Sequence, residues 1–296
     1  MKFFICAGSG KSGTTSLYHM LKSHPEICMA NKKEDNYFIN SNTPSLKEYT
    51  SKYFPHYDKD KHKILGSVSP AYLFYPEAKQ KIFNLLGSDT KIFFVLRNPI
   101  DFAYSHYWMS YRRGIELLSF EDALKEENKR LQKGDYYLKH FGYKCKGMYY
   151  KHLKEFYDLF PTQRIKIFIY EEVIRDASNV MMHLFNYLNV NNINYNIENI
   201  EKNIGYLPKY EFLRKIHGQP LKIKRLFKFI IPCRNIRWKF YPIIEKFNRS
   251  NKKYPPMRIS TKKYLLDLFY DDIKKLEELA KLDLSEWYKE INVNKR

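Results

Sequence analysis

The chain is poor in cysteine and glycine and holds no long apolar run. Its 296 residues include four cysteines, Cys6, Cys28, Cys145 and Cys233, far apart, with no CxxC pair and no metal-ligand spacing. That argues against a disulfide-stapled framework and against a structural metal, and predicts reduced thiols in a cytoplasm. The 11 glycines and 13 prolines are too few for a collagen-like or low-complexity chain. No stretch reaches the roughly 18 apolar residues that span a bilayer. The apolar start Phe3-Phe4-Ile5-Cys6-Ala7 is too short for a signal-peptide core and runs straight into Gly8-Ser9-Gly10-Lys11-Ser12, so it reads as a buried first strand. Acidic side chains are scarce as well. With 32 Asp+Glu against 52 Lys+Arg the formal charge is +20, and an excess of that size implies an anionic partner.

What is present is ample core material, 44% hydrophobic and 17% aromatic, in a length that suits one large domain. Apolar runs at Lys2–Cys6, Lys63–Val68, Lys91–Leu96 and Ile165–Tyr170 read as strands, the third so continuously apolar that both its faces must be covered. Between them, helical spacing marks Thr14–Lys22, Leu46–Phe54, Pro76–Leu86, Pro99–Arg113, Phe120–Gln132, Gly147–Phe160, Ser178–Leu188 and Ser260–Ala280. Strands alternating with helices predict an α/β fold: a three-layer, doubly wound domain with a central parallel sheet flanked by helices. Between Lys209 and Lys253 lie 14 basic residues and only two acids, Glu211 and Glu245. This stretch, about 209–254, is expected as a basic helical insertion within a single domain over 1–296.

Gly8-Ser9-Gly10-Lys11-Ser12-Gly13-Thr14-Thr15-Ser16 follows a strand and opens a helix. Glycines let backbone N–H groups converge on an anion, and the helix start adds its dipole. Lys11 supplies a positive charge, and Thr14, Thr15 and Ser16 supply hydroxyls. A turn that merely capped the helix would leave these four residues unexplained. The pattern is not that of an ATP-binding phosphate loop, because the glycine required five residues before Gly10 is Ile5. The acid expected after a neighbouring strand is also missing, since Lys91–Leu96 ends in Arg97. Arg97 at a strand end can grip a second phosphate, unless it pairs with Asp101. Ser105, eight residues on, stands about two helical turns further and can donate to the same group. A nucleotide with phosphate at both ends of its ribose fits both sites.

These residues resemble the sulfotransferases that use 3′-phosphoadenosine-5′-phosphosulfate (PAPS). Lys11-Ser12-Gly13-Thr14-Thr15-Ser16 is similar to their 5′-phosphosulfate loop, and Arg97-Asn98-Pro99…Tyr104-Ser105 to their 3′-phosphate motif. Further segments resemble the branch of heparan sulfate and bacterial carbohydrate sulfotransferases: Lys33-Glu34-Asp35-Asn36-Tyr37-Phe38, Ser69-Pro70-Ala71-Tyr72-Leu73, Gly147-Met148-Tyr149-Tyr150, Tyr170-Glu171-Glu172 and Lys252-Lys253-Tyr254-Pro255-Pro256. One departure is Ser67, where such sequences commonly carry Glu. The resemblance implies PAPS as co-substrate, no metal, and a carbohydrate or other hydroxylated acceptor. It implies Lys11 at the leaving phosphate, Tyr170 beside the nucleoside, and Lys252, Lys253 and Tyr254 closing over it. Glu34 is the expected general base, a carboxylate buried beside Tyr37 and Phe38 with a raised pKa, and Tyr37 and Tyr72 are expected near the acceptor. The plainer reading of Glu34 is a solvated charge beside Lys32 and Lys33. His106 is a second candidate base, although packing suits it better.

Two alternative functions stay open, and the basic stretch has three readings. An ATP-dependent phosphotransferase is opposed by Ile5 and Arg97. A nucleic-acid-binding protein is supported by charge alone, so no nucleic acid is expected. The basic stretch interleaves Phe227, Phe229, Ile230, Ile231, Trp238, Phe240 and Tyr241 with its charges, which suits scaffold, an anionic glycan or peripheral contact with an anionic membrane.

Overall fold

A computed structural model describes residues 1–42, 44–193, 206–211, 214, 247–250 and 252–289. The chain forms two compact units, one of Met1–Pro99, Met148–Lys202 and Phe269–Arg296, the other of Ile100–Gly147 and Asn203–Leu268.

The first unit is built on a parallel sheet of five strands: β1 (Phe3–Gly8), β2 (Ile27–Met29), β3 (Ile64–Val68), β4 (Lys91–Leu96) and β5 (Ile165–Ile169), in the order β2-β3-β1-β4-β5. Every residue of β1, β3 and β4 is buried, as a sheet covered on both faces requires. Alternation along the strands divides the core. On one face, Phe4 and Cys6 of β1, Phe93 and Val95 of β4 and Phe168 of β5 pack against α1 (Thr14–Lys22) and a helix over Ala177–Leu188. On the other, Phe94 meets Phe156 with ring centroids 5.0 Å apart, beneath a helix over Tyr149–Leu159. Gly66 of β3 pairs with Phe4 of β1, and a β-carbon at Gly66 would lie 1.9 Å from the Phe4 ring, so the strand has glycine where the ring lies.

The chain leaves β1 towards β2 and β3 on one side and later crosses to β4 and β5 on the other. The carboxyl ends of β1 and β4 therefore flank the point where winding reverses, the usual ligand crevice of such sheets. The expected three-layer parallel α/β fold is thus observed.

The second unit carries most of the helix Pro99–Arg112, together with helices Phe120–Leu131 and Asp135–Phe141. Its buried centre is ionic. Glu116 pairs with Arg130 at 2.5 Å and accepts from the Tyr143 hydroxyl at 2.8 Å, while Arg214 donates to the Glu116 carbonyl at 2.9 Å. The expected basic helical insertion falls largely on residues 212–213 and 215–246, outside the described residues.

Candidate active site

The turn after β1 is shaped to receive an anion. Lys11 and Gly13 both take left-handed backbone angles, with φ of 65° and 73°. Gly13 stands at the N-terminal cap of α1 and no side chain caps the helix, so its first N–H groups are left to a ligand or solvent. Ser12 does not face outward. Its side chain is buried and shares a 2.7 Å hydrogen bond with the Ser9 hydroxyl, which itself donates to the Val95 carbonyl at 3.2 Å. Ser12 therefore shapes the turn through its side chain and has only its backbone to offer a ligand. Thr14 is buried, Ser16 half-buried and Thr15 exposed.

Arg97 leaves the end of β4, and its guanidinium reaches back to the Lys11 carbonyl at 3.4 Å. It lies over the Tyr170 ring at 5.1 Å, while its buried Nε has no hydrogen-bond partner among the described residues. The pairing with Asp101 that the sequence left open is not among the ion pairs of the described residues. Tyr170 starts the helix Tyr170–Arg175 at the end of β5 and closes on the phosphate turn, since a β-carbon at Gly13 would come within 3.2 Å of its ring. Sequence reasoning gave no role to two neighbours. Glu171 accepts from the Asn98 N–H at 3.0 Å, pinning the turn behind Arg97, and its other carboxylate oxygen is buried without a partner. The Tyr149 hydroxyl lies 3.5 Å from that of Ser9, and burial pushes its pKa up, with the Glu171 carboxylate adding to the effect. Both residues stand in segments that the resemblance singled out, which was the available signal.

The acidic segment corrects one expectation. Glu34 is not buried: its side chain is 55% exposed and pairs with Lys33 at 2.5 Å. Asp35, beside it, is the buried carboxylate, 3% exposed. It accepts from Ser67 at 2.6 Å, from Ser69 at 3.1 Å and from the Tyr72 hydroxyl, so Tyr72 is occupied within the fold. Burial first, then the Asp35 charge, raises the Tyr72 phenol well above its usual value. Tyr37 is also occupied, donating to Glu48 at 3.1 Å and to the Ser45 carbonyl at 3.2 Å. The departure at Ser67 gains a reason: the acid at this turn comes from Asp35, and Ser67 supplies its donor. A polar cleft of about 680 Å³ opens beside these residues, lined in part by Asn31, Lys32, Asp35, Tyr37, Asn40, Glu48 and Lys52.

Four expected cofactor residues belong to the second unit. Ser105 is half-buried on the helix Pro99–Arg112. Tyr254 stacks on Trp108 of the same helix at 4.7 Å and 7°, and Tyr104 donates to the Pro255 carbonyl at 2.7 Å, so the late loop is docked on that helix. Lys252 and Lys253 are exposed. His106 is buried, its Nε2 within 3.2 Å of the Lys139 carbonyl and its ring against Tyr143, which is a packing role.

The uncapped start of α1, the left-handed Lys11 and Gly13 and the unsatisfied Nε of Arg97 suit a bound anion, and no group of three or more metal-ligating side chains occurs among the described residues. Fold and site together define a P-loop-like α/β protein whose glycine-rich turn and Arg97 stand at the carboxyl edge of its sheet. Residues 2–207 match the sulfotransferase domain family, and the chain belongs to it. The membrane-associated sulfotransferase kil1 of Dictyostelium discoideum is 24% identical over 269 residues, covering 65% of this chain and 57% of that protein. The bifunctional heparan sulfate N-deacetylase/N-sulfotransferase 4 of Mus musculus is 23% identical over 294 residues, covering 93% of this chain and 29% of that protein. The chain thus spans well under two thirds of these relatives' lengths. A sulfotransferase from Alicyclobacillus acidocaldarius shares the fold, with a TM-score of 0.69, 23% identity and coverage of 98% of this chain and 99% of that one.

Proposed function

We propose that this chain transfers the sulfuryl group of PAPS to a hydroxyl or amine of a carbohydrate or lipid-linked glycan. The observation that carries the reading is the pairing of an uncapped, glycine-rich helix start with Arg97 on the adjacent strand end, its Nε buried and unsatisfied. PAPS supplies the activated sulfuryl group and a phosphate leaving group. Lys11 neutralises the charge that builds on the leaving phosphate. The N–H groups from Ser12 to Ser16 and the hydroxyls of Thr14, Thr15 and Ser16 hold the 5′ end. Arg97 holds the 3′-phosphate and Tyr170 backs the guanidinium; Ser105 is assigned to that phosphate by the resemblance. Lys252, Lys253 and Tyr254 are assigned to closure over the nucleotide by the resemblance.

Glu34 takes the acceptor's proton as its oxygen or nitrogen attacks sulfur. Its exposure leaves the carboxylate reachable from solvent, and Lys33 steadies it at 2.5 Å. The heparan sulfate relative supports a glycan acceptor, and the polar cleft beside Asp35 offers amide, hydroxyl and ammonium groups to one. The scattered cysteines support a cytoplasmic enzyme. The basic stretch and the relative described as membrane-associated support contact with the inner membrane face.

The test is a screen of hydroxylated and aminated sugars with labelled PAPS. Label should enter an acceptor, and Glu34→Gln should lower turnover about 10²–10⁴-fold while leaving affinity for adenosine 3′,5′-bisphosphate nearly unchanged. Undiminished turnover of Glu34→Gln, where chemistry limits the rate, would place the base elsewhere. Transfer from ATP instead of PAPS would favour the phosphotransferase reading.

A further inference from the structure

We propose that Asp35 is the positioning residue for the acceptor side of the site, tying the turn that bears Glu34 to the end of β3; this rests on the assignment of Glu34 as base. Its carboxylate collects five donors. Oδ1 accepts from the Ser69 hydroxyl at 3.1 Å, the Tyr37 N–H at 3.1 Å and the Tyr72 hydroxyl. Oδ2 accepts from Ser67 at 2.6 Å and from Tyr49 at 3.4 Å. The donors come from three places: the end of β3 and the turn after it (Ser67, Ser69, Tyr72), the helix Leu46–Tyr53 (Tyr49), and the Glu34 turn itself (Tyr37). One buried charge thereby fastens three segments of the first unit together.

The turn needs such a fastening. Glu34 and Asn36, on either side of Asp35, both hold left-handed angles, with φ of 58° and 51°. Asn adopts these angles readily but Glu seldom does, so the angle at Glu34 is the one that its surroundings must hold. Besides the Asp35 contacts, the Glu34 N–H donates to the Val68 carbonyl at 2.9 Å. Asp35 itself is not the base, because both its oxygens are engaged by donors within the fold. Nor does a cation hold it: among the described residues no basic side chain pairs with it, and hydroxyls and one N–H satisfy it. A buried carboxylate held by neutral donors is sensitive to the loss of any of them.

Asp35→Asn tests the proposal, since it keeps the shape but replaces one acceptor oxygen with a donor. Turnover per nucleotide-binding site should fall at least tenfold, affinity for adenosine 3′,5′-bisphosphate should stay within twofold of wild type, and the acid limb of the pH–rate profile should move as the surroundings of Glu34 change. Amide exchange should quicken over residues 31–40 and not in β1 or α1. A merely structural role would lower thermal stability and leave turnover per binding site and the pH profile as in wild type, and that result would overturn the proposal. If Asp35→Asn does not fold, Ser67→Ala removes the 2.6 Å donor alone and is read the same way. If wild type shows neither transfer nor binding of the bisphosphate, the functional reading fails. The exchange measurement still decides whether Asp35 fastens the turn, and unchanged exchange would overturn that too.

Discussion

Lys11 and Arg97 bring positive charge to neighbouring strand ends, and their variants should separate by what they disturb. Lys11→Ala should weaken nucleotide binding and turnover together, because the role proposed for its charge spans both the ground state and the leaving group; steady-state kinetics alongside calorimetry checks this. Gly66→Ala should leave the site chemistry alone but destabilise the fold by about 1–3 kcal/mol, the usual cost of overpacking a core. The cause is the β-carbon 1.9 Å from the Phe4 ring, and urea unfolding measures the effect. In the sequence Gly66 was simply a strand residue, since cross-strand register is invisible there. The positions of Arg97 and Tyr170 at strand ends were legible because each directly follows an apolar strand, and that of Lys11 because it lies in the glycine-rich turn after β1. Glu34 and Asp35 were not told apart: adjacent carboxylates in a turn exchange burial with a small change of backbone angle, and two left-handed residues set that angle here.

Among elements, those with strong periodicity or continuous apolar runs were found to within a residue or two. Thr14–Lys22, Pro76–Leu86 and Lys91–Leu96 are observed with the bounds the sequence predicted. Missed were β2, at three residues too short for a pattern, and the short helices Tyr37–Asn40, Asp135–Phe141 and Tyr170–Arg175, which tertiary packing specifies. The helix Asp135–Phe141 is expected to give a pH response. His140 packs against Tyr136 at 4.7 Å, and burial first, then the charges of Lys139, Lys146 and Arg113, lowers its pKa from 6.5 to about 4. As pH falls from about 6.5 towards 4, the unfolded chain binds a proton that the folded chain refuses, so stability drops across that window. The thermal midpoint should decline over it, and His140→Phe should flatten the decline.

At the scale of the whole molecule, the charge of +20 is unevenly spread, with 14 basic residues between Lys209 and Lys253. If that stretch meets lipid, binding to anionic vesicles should fall steeply with salt, since exposed charges are screened beyond about 8 Å at physiological ionic strength. Absent or salt-insensitive binding in a vesicle sedimentation assay would leave the stretch as scaffold. Composition showed the charge and not its purpose, because a basic aromatic segment serves a membrane, a glycan or a core equally well. The central claim is that the site reads a nucleotide with two phosphates, and calorimetry on wild type and Arg97→Ala tests it most directly. Wild type should bind adenosine 3′,5′-bisphosphate more tightly than 5′-AMP by about 1.5–3 kcal/mol, the worth of a charge-assisted contact. Arg97→Ala should lose that preference and keep its fold. Equal affinity of the wild type for the two nucleotides would contradict the account.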